Sequence, residues 1–322
     1  MTAAQSPTVV DHIVTWGSHG FSCRDLSPRS GAPRSSLLII GGGFQARETW
    51  KPLETRLGGR YRLLIPELPQ AGTADAGTGT LSWDDLTDAA LRVLDQLGID
   101  RFAVLGVSSG YPIAYRLAQQ HSDRVSRLLL FGTTLTTGPH ILEVLREGLR
   151  REAAVHHPHN AAADHHTSPE DPQLGPPTPA SLRDAAHQLA GALTNPRAYH
   201  RNIRIRAAAR LLTERLVKTG EDPLVRFVAN RGRLQLEDPL VHGRVAHVPA
   251  LVGVGEYDST TTLEDNRAVA DTIDNATLIV LQDTDHLLYL EREAEFAGLV
   301  ERFLEGQSPA GPGVLVSPTT SS

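Results

Sequence analysis

The sequence has 322 residues and a formal net charge of −6 at pH 7, with a pI of about 6.2. This length suits one large α/β domain with an insertion, and length alone also permits two domains. The acidic balance provides no basic surface for nucleic acid or an anionic membrane, so neither is expected as a partner.

Cysteine use and the absence of apolar segments indicate the compartment. Cys23 is the single cysteine, so an internal disulfide is impossible, and a lone cysteine is typical of core packing. Residues 1–7 lack a basic segment followed by an apolar run, and no stretch approaches the roughly 18 apolar residues that a membrane helix needs. The sequence predicts a soluble cytoplasmic protein.

The first predicted elements are strands. Residues 8–16 and 21–26 alternate as two antiparallel edge strands do. Residues 36–40 form a nearly uninterrupted apolar run, which is typical of a strand buried on both faces. This run ends in Gly41-Gly42-Gly43-Phe44, where N–H groups could point into a cavity as an oxyanion hole requires. The alternative interpretation of the glycines is a tight turn.

Strand and helix patterns then alternate. Residues 61–66 are a predicted strand, followed by a Gly/Pro-rich loop over 67–75. Residues 83–97 have helical spacing and stop at Gly98, a typical C-cap.

The most informative stretch is Gly106-Val107-Ser108-Ser109-Gly110, which follows a strand pattern and precedes helical spacing. The two glycines remove side chains where backbones pass closely, so the turn lifts the Ser108 hydroxyl out of the sheet. The N-terminus of the following helix favours negative charge at the same place. A serine held in this way can attack a carbonyl carbon, whereas the alternative is a simple Gly/Ser-rich turn.

The alternation predicts the fold class. Together with a further buried strand over 125–131, it indicates an α/β fold with a mostly parallel central sheet and helices on both faces. In such sheets ligands bind beyond the carboxyl ends of the strands, where both the glycine loop and Ser108 lie. Residues 1–137 are predicted to form the first part of this core.

From 138 to 245 the alternation stops. Helical stretches over 141–154, 181–193 and 202–218 predict an inserted helical cap. Residues 155–180 are rich in His and Pro and predict a flexible loop. Its five histidines within eleven positions raise a metal hypothesis, but their spacing fits no ordered site and no cysteine joins them, so a solvated tract is favoured and no metal is expected.

Regular alternation resumes over 246–305, which we predict to complete the core. The last segment, 306–322, is predicted to be a disordered tail. The predicted elements are a strand over 248–255, a helix over 263–273, a strand over 276–281 and a closing helix over 291–305.

Two side chains suit the needs of a nucleophilic serine, which are a base and a carboxylate that orients the base. Asp258 and His286 each follow a late strand at the same sheet edge as Ser108, in the chain order Ser, Asp, His. Taken singly, Asp258 could be a helix N-cap and His286 a surface histidine. Three such positions in this order predict a catalytic triad.

Competing assignments fit less well. Glu256 lies two residues nearer the sheet, and Asp283 and Asp285 are too close to His286 in sequence to orient it. Other histidines lie away from the predicted edge or in the cap: His121, His140 and His247.

With these motifs the chain resembles the α/β-hydrolase fold superfamily, of the cap-bearing esterase, thioesterase and C–C hydrolase type. The resemblance covers roughly residues 8–137 and 246–305. It implies oxyanion N–H groups from Ser109 and from either Phe44 or Gly43. It is carried by Gly106 to Gly110, Gly255-Glu256-Tyr257-Asp258, Asp285-His286 and Trp50.

The chain also departs from that family at two motifs. The family commonly has His-Gly where this chain has Gly41 to Gly43, and Asp-x-x-Gly-x-Gly where this chain has Glu67 to Gly72. The missing histidine removes no N–H donor, but it bears on the shape of the oxyanion loop.

The predicted function is hydrolysis of an ester or thioester of a small to medium organic acid through an acyl-serine. No cofactor is expected. The expected partner is a small-molecule acyl substrate or a carrier-bound thioester, and the sequence leaves the oligomeric state open. The alternatives are an acyltransferase or cyclase that uses the same triad, or a non-catalytic binding protein on this fold.

Overall fold

The computed structural model describes residues 6–17, 19–43, 45, 47–69, 81–138, 142, 182–219, 234, 240 and 243–317. The strands are β1 (Thr8–Trp16), β2 (His19–Ser27), β3 (Ser36–Ile40), β4 (Arg62–Pro66), β5 (Phe102–Val107), β6 (Val125–Phe131), β7 (Val245–Gly255), β8 (Ile273–Leu281) and β9 (Val314–Ser317). The helices are α1 (Lys51–Leu57), α2 (Trp83–Gln96), α3 (Tyr111–Gln120), α4 (Leu182–Ala192), α5 (Pro196–Arg201), α6 (Ile203–Thr219), α7 (Leu263–Ala270), α8 (Leu288–Glu291) and α9 (Glu293–Leu304).

The described strands form one sheet in the order β1-β2-β4-β3-β5-β6-β7-β8-β9. The pairs from β4 to β8 are parallel, while β1, β2 and β9 pair antiparallel at the two edges. The predicted α/β fold with a mostly parallel sheet is confirmed.

The apolar runs are explained by burial on both sheet faces. Every residue of β3 is buried, and successive side chains point to opposite faces. Leu38 belongs to a core that includes Trp83 of α2, whereas Leu37 belongs to a second core that includes Phe296 of α9. Helices therefore cover the sheet on both sides.

β3 and β5 are neighbours in the sheet. The chain leaves β3 towards β4 on one flank of this pair and leaves β5 towards β6 on the other flank. Such a reversal of strand order leaves a crevice at the carboxyl ends of the two strands. The glycine loop follows β3 and Ser108 follows β5, so both predicted features border this crevice.

The described part of the insertion is helical. Ala186 and Ala190 of α4 and Leu212 and Leu216 of α6 are buried in the same core as α9. The predicted helix over 141–154, apart from residue 142, and the His/Pro-rich loop over 155–180 lie outside the described residues. The extent of a cap over 138–245 therefore stays a prediction.

Residues 306–317 correct the prediction of a disordered tail. Val314–Ser317 pair with β8 as the antiparallel edge strand β9, and the Gln282 N–H donates to the Gly313 carbonyl at 2.8 Å. The Pro and Gly residues before the strand make a turn, and the exposed edge of β8 supplies the pairing partner that composition does not reveal.

The closing helix predicted over 291–305 corresponds to α9, and the short helix α8 comes directly before it. Among the described residues, no helix combines the length and the apolar character needed to cross a bilayer.

Candidate active site

Ser108 lies in a strained turn between β5 and α3. Its φ is +48°, in the left-handed region that residues other than glycine rarely adopt, at a typical cost of about 1–3 kcal/mol. The turn requires glycine on both sides. A Cβ at Gly106 would lie 2.8 Å from Tyr111 Cα, and one at Gly110 would lie 2.9 Å from the carbonyl carbon of Ile40.

Asp258 follows β7 and is held by three donors from its own loop. Its Oδ1 accepts the backbone N–H groups of Thr260 at 2.9 Å and Thr261 at 2.8 Å, and its Oδ2 accepts the Thr261 hydroxyl at 2.8 Å. The carboxylate side chain has no exposed surface. Hydrogen bonds to the charged form compensate for its burial and fix its orientation.

His286 follows β8 and connects the other two residues. Its Nδ1 lies 2.9 Å from Asp258 Oδ2, and its Nε2 lies 3.1 Å from Ser108 Oγ. Gly132, at φ +66°, makes room for the ring, since a Cβ there would lie 3.1 Å from His286 Cε1. The structure thus brings together the three side chains that the sequence singled out, from three separate loops.

The charges around His286 favour its protonated form. Burial lowers the pKa of His286, but the charge and hydrogen bond of Asp258, together with the charges of Asp285 and Glu291, outweigh burial and raise it above its ordinary value. An imidazolium is therefore stabilised where a general base would acquire a proton.

Two buried carboxyl groups that the sequence did not assign hold the histidine loop. The Asp285 N–H donates to Glu291 Oε2 at 2.6 Å, and the His286 N–H donates to Asp285 Oδ1 at 2.9 Å. Burial raises the pKa of Asp285 to about 6 and that of Glu291 to about 8. The short spacing between Asp285, His286 and Glu291 was the only sequence signal for this arrangement.

Asn266 is a second residue that sequence reasoning missed. Its Oδ1 accepts the N–H and the hydroxyl of Thr133, both at 2.9 Å, and its Nδ2 donates to the carbonyls of Thr261 at 3.0 Å and Thr262 at 2.9 Å. The buried amide therefore uses both lone pairs and both N–H groups. Asn266 therefore joins the loop after β6 to the loop that carries Asp258. No sequence motif predicts this role.

The predicted oxyanion residues are described in part. Ser109 directly follows Ser108 at the turn into α3, and its Oγ is buried without a hydrogen-bond partner in the described part of the chain. Gly42 lies against Ser108, since a Cβ there would be 2.8 Å from Ser108 Cβ, and its N–H donates to Gln45 Oε1 at 2.8 Å. Gly43 belongs to the same turn, and Phe44 lies outside the described residues.

Gly255 is expected to be essential for the packing of the histidine loop. A Cβ there would overlap the Asp285 carbonyl and lie 2.8 Å from the Thr284 carbonyl oxygen. We expect Gly255→Ala to lower the free energy of unfolding by about 2 kcal/mol, because backbone cannot move away cheaply. Thermal unfolding measures this loss.

Gly191→Ala is the matched control for that substitution. Gly191 lies in α4, is exposed, and a Cβ there would have no atom of the described residues within 4 Å. Alanine in a helix is favoured over glycine by about 0.5–1 kcal/mol, so this variant should unfold at the same or a higher temperature. A Gly255→Ala protein as stable as the control would contradict the tight packing of this loop.

The described residues include a cavity away from Ser108 but no cluster of metal ligands. These residues contain no group of three or more His, Cys, Asp or Glu side chains able to hold a metal ion, and the five clustered histidines lie outside them. A cavity of about 480 Å³ lies at the amino ends of β3, β5 and β6, and its lining includes Arg34, Arg127 and Glu305. It is at the opposite sheet edge from Ser108, so it plays no part in this site.

Comparisons with known proteins identify the fold family. A family model described as alpha/beta hydrolase fold matches residues 36–293. The chain is 27% identical over 283 residues to the 2-hydroxymuconate semialdehyde hydrolase of Pseudomonas sp. (strain CF600), a match that covers 85% of this chain and 87% of that protein.

A second relative is matched over a shorter region. The chain is 30% identical over 108 residues to a 2-hydroxy-6-oxononadienedioate/2-hydroxy-6-oxononatrienedioate hydrolase of Paraburkholderia phymatum, which covers 32% of this chain and only 38% of that protein. Among solved structures, the enol-lactonase from Burkholderia xenovorans LB400 has a TM-score of 0.66 at 21% identity, covering 91% of this chain and 100% of that chain. The structural likeness shows the shared fold.

Proposed function

The chain belongs to the alpha/beta hydrolase fold family, and from this premise we propose that it hydrolyses an ester or thioester of a small to medium organic acid through an acyl-serine at Ser108. The observation that carries the proposal is the continuous contact from Ser108 Oγ through His286 to Asp258, at 3.1 Å and 2.9 Å. A hydroxyl, an imidazole and a buried carboxylate in this order are the parts that nucleophilic acyl transfer needs.

In the first half of the reaction, Ser108 Oγ attacks the carbonyl carbon while its proton passes to His286 Nε2. Asp258 accepts the Nδ1–H bond, which selects the tautomer with a free Nε2 and stabilises the imidazolium. We assign the N–H groups of Ser109 and of Gly43 or Phe44 as donors to the tetrahedral oxygen. His286 then donates its proton to the leaving alcohol or thiol.

In the second half, water attacks the acyl-serine and its proton passes to His286 Nε2. The tetrahedral intermediate collapses, Ser108 recovers its proton from His286, and the organic acid leaves. The raised pKa of His286 suits both halves, since the same nitrogen accepts and returns a proton in each.

A second candidate reaction is hydrolysis of a carbon–carbon bond beside a carbonyl group. The long match to a 2-hydroxymuconate semialdehyde hydrolase favours it, because the two chains align over most of their lengths. In that reaction water is added across the bond, so one fragment leaves as a carboxylic acid and the other carbon gains a hydrogen. The two candidates differ in the leaving group that must be protonated.

The experiment that tests the proposal assays one preparation on three kinds of substrate. These are p-nitrophenyl esters of short and long acids, acyl thioesters, and 2-hydroxymuconate semialdehyde. We expect turnover of the esters or thioesters and covalent labelling of Ser108 by a serine-directed phosphonate. Turnover of the semialdehyde alone would replace the proposal with the second candidate.

Acyl transfer to an acceptor and non-catalytic binding are distinguished by two additional results. Products trapped only when an alcohol or amine acceptor is added would indicate a transferase. Absence of phosphonate labelling at Ser108, in protein whose fold is intact by circular dichroism, would refute catalysis at this site and favour a binding protein.

A further inference from the structure

A short part of the inserted segment is bonded to both loops that carry the predicted base and acid. The Asn195 side-chain Nδ2 donates to the Tyr257 carbonyl at 2.9 Å, beside Asp258. The Asn202 Nδ2 donates to the Asp283 carbonyl at 2.9 Å, in the histidine loop. These two asparagines flank α5 at its two ends, so the helix is held against both loops.

The third bond of this segment reaches the side chain of Asp285. The Asn195 backbone N–H donates to Asp285 Oδ2 at 2.5 Å, and Asp285 Oδ1 accepts the His286 N–H at 2.9 Å. One carboxylate therefore bridges the backbone of the insertion and the backbone of the histidine itself. Asp285 is 1% exposed, so water does not compete for either bond.

The rest of the histidine loop limits how far Asp285 can move. The Asp285 N–H is held by Glu291 Oε2 at 2.6 Å, and the Thr284 hydroxyl donates to the Leu281 carbonyl at 2.8 Å. Because these bonds fix the backbone around Asp285, its carboxylate moves mainly with its two N–H donors. A displacement of Asn195 would therefore displace His286 as well.

We propose that Asp285 is a positioning residue that couples the inserted helical segment to His286, so that the imidazole is aligned with Ser108 when the insertion is docked on the core. The inference rests on the proposed function for the role of His286. It adds that the insertion contributes to the geometry of catalysis through Asp285.

The charges around this bridge give it a measurable pH signature. The charged groups that act on Asp285 are Asp258 and His286, and the Glu291 carboxyl group is bonded to the Asp285 N–H. Burial, together with the charge of Asp258, raises the pKa of Asp285 to about 6, against the opposing effect of its two N–H donors. The negative charge of Asp285 in turn raises the pKa of His286.

The test is Asp285→Asn. The amide has one oxygen for two N–H donors, so either the Asn195 bond or the His286 bond is lost. We expect kcat to fall roughly tenfold with a smaller change in KM, since the loss concerns alignment of the base rather than substrate contacts. Removing the charge should also lower the pKa of His286 and move the acidic limb of the kcat/KM profile to lower pH, which lost stability alone would not do.

Asp283→Asn is the matched control, with the same charge change two residues away in the same loop. Asp283 is at φ +57°, a conformation that asparagine tolerates well, and within the described part of the chain its Oδ1 accepts a single long bond of 3.4 Å, from the Tyr257 hydroxyl. This variant should keep kcat within about twofold of the parent and leave the acidic limb in place.

A measurement on the unmodified protein covers the case in which Asp285→Asn does not fold. As a helix N-cap, Asn195 has no intrahelical partner for its N–H, so hydrogen exchange at this amide reports the Asp285 bond. We expect protection near pH 7 that decreases, beyond the intrinsic change in exchange rate, as Asp285 is protonated towards about pH 5. An unprotected Asn195 amide, or protection that does not change, would overturn the inference.

The inference and the proposed function fail in different ways. If the unmodified protein turns over no ester or thioester, the function fails while the exchange result stands. If it is active and Asp285→Asn has an unchanged kcat and acidic limb, the coupling is refuted and the function stands.

Discussion

Ser108→Ala is expected to lower kcat/KM by about 10⁴-fold or more, because no other hydroxyl is bonded to His286 Nε2 among the described residues. The variant keeps the backbone N–H groups assigned to the oxyanion, so a small residual rate above the reaction in water is expected. Steady-state hydrolysis of the best substrate measures the loss. Mass spectrometry after phosphonate treatment should show no adduct.

The control for this substitution is Ser308→Ala, an exposed serine after α9 that is distant from the site in sequence and fold. It should retain full activity. If Ser108→Ala kept more than a few per cent of the parent rate, attack by Ser108 would be ruled out.

The strain at Ser108 adds a stability comparison. Glycine adopts a φ of +48° without penalty and alanine does not, so Ser108→Gly should be more stable than Ser108→Ala by about 1 kcal/mol. Both variants should be inactive. Equal melting temperatures would mean that the turn relaxes when the hydroxyl is removed.

Asp258→Asn is expected to lower kcat by about 10⁴-fold with little change in overall structure. The backbone N–H groups of Thr260 and Thr261 require an oxygen, so the amide nitrogen would face His286 Nδ1. The imidazole would then carry its proton on Nε2 and could not accept one from Ser108. The loss should appear in kcat for every substrate, and it should persist at high pH because it reflects the wrong tautomer.

Asp274→Asn serves as the control, because Asp274 pairs with Arg244 at 2.8 Å on the surface, away from the site. An exposed pair of this kind contributes little, so activity should be unchanged. Retention of a tenth or more of the parent kcat in Asp258→Asn would show that another group orients His286.

Local patterns predicted most of the elements that form the core, but not α1, whose Leu53 and Leu57 are buried in it. β1 and β6 have the predicted bounds, since alternation and apolar runs directly reflect which faces are buried. The predictions were wrong where long-range contacts decide. The edge of β8 makes residues 314–317 a strand, where a disordered tail was predicted.

The sequence by itself determined the α/β fold class, the turn at Ser108, and the three positions at strand ends whose side chains meet. These follow from short-range rules, because glycine permits close backbone approach and parallel strands place their carboxyl ends at one edge. Only the tertiary structure decided that Asp285 bridges Asn195 to His286 and that Asn266 joins two loops. Asn195 and Asp285 are 90 residues apart, so the hydrogen bond between them depends on how the insertion packs on the sheet. That packing does not produce a periodic pattern in the sequence.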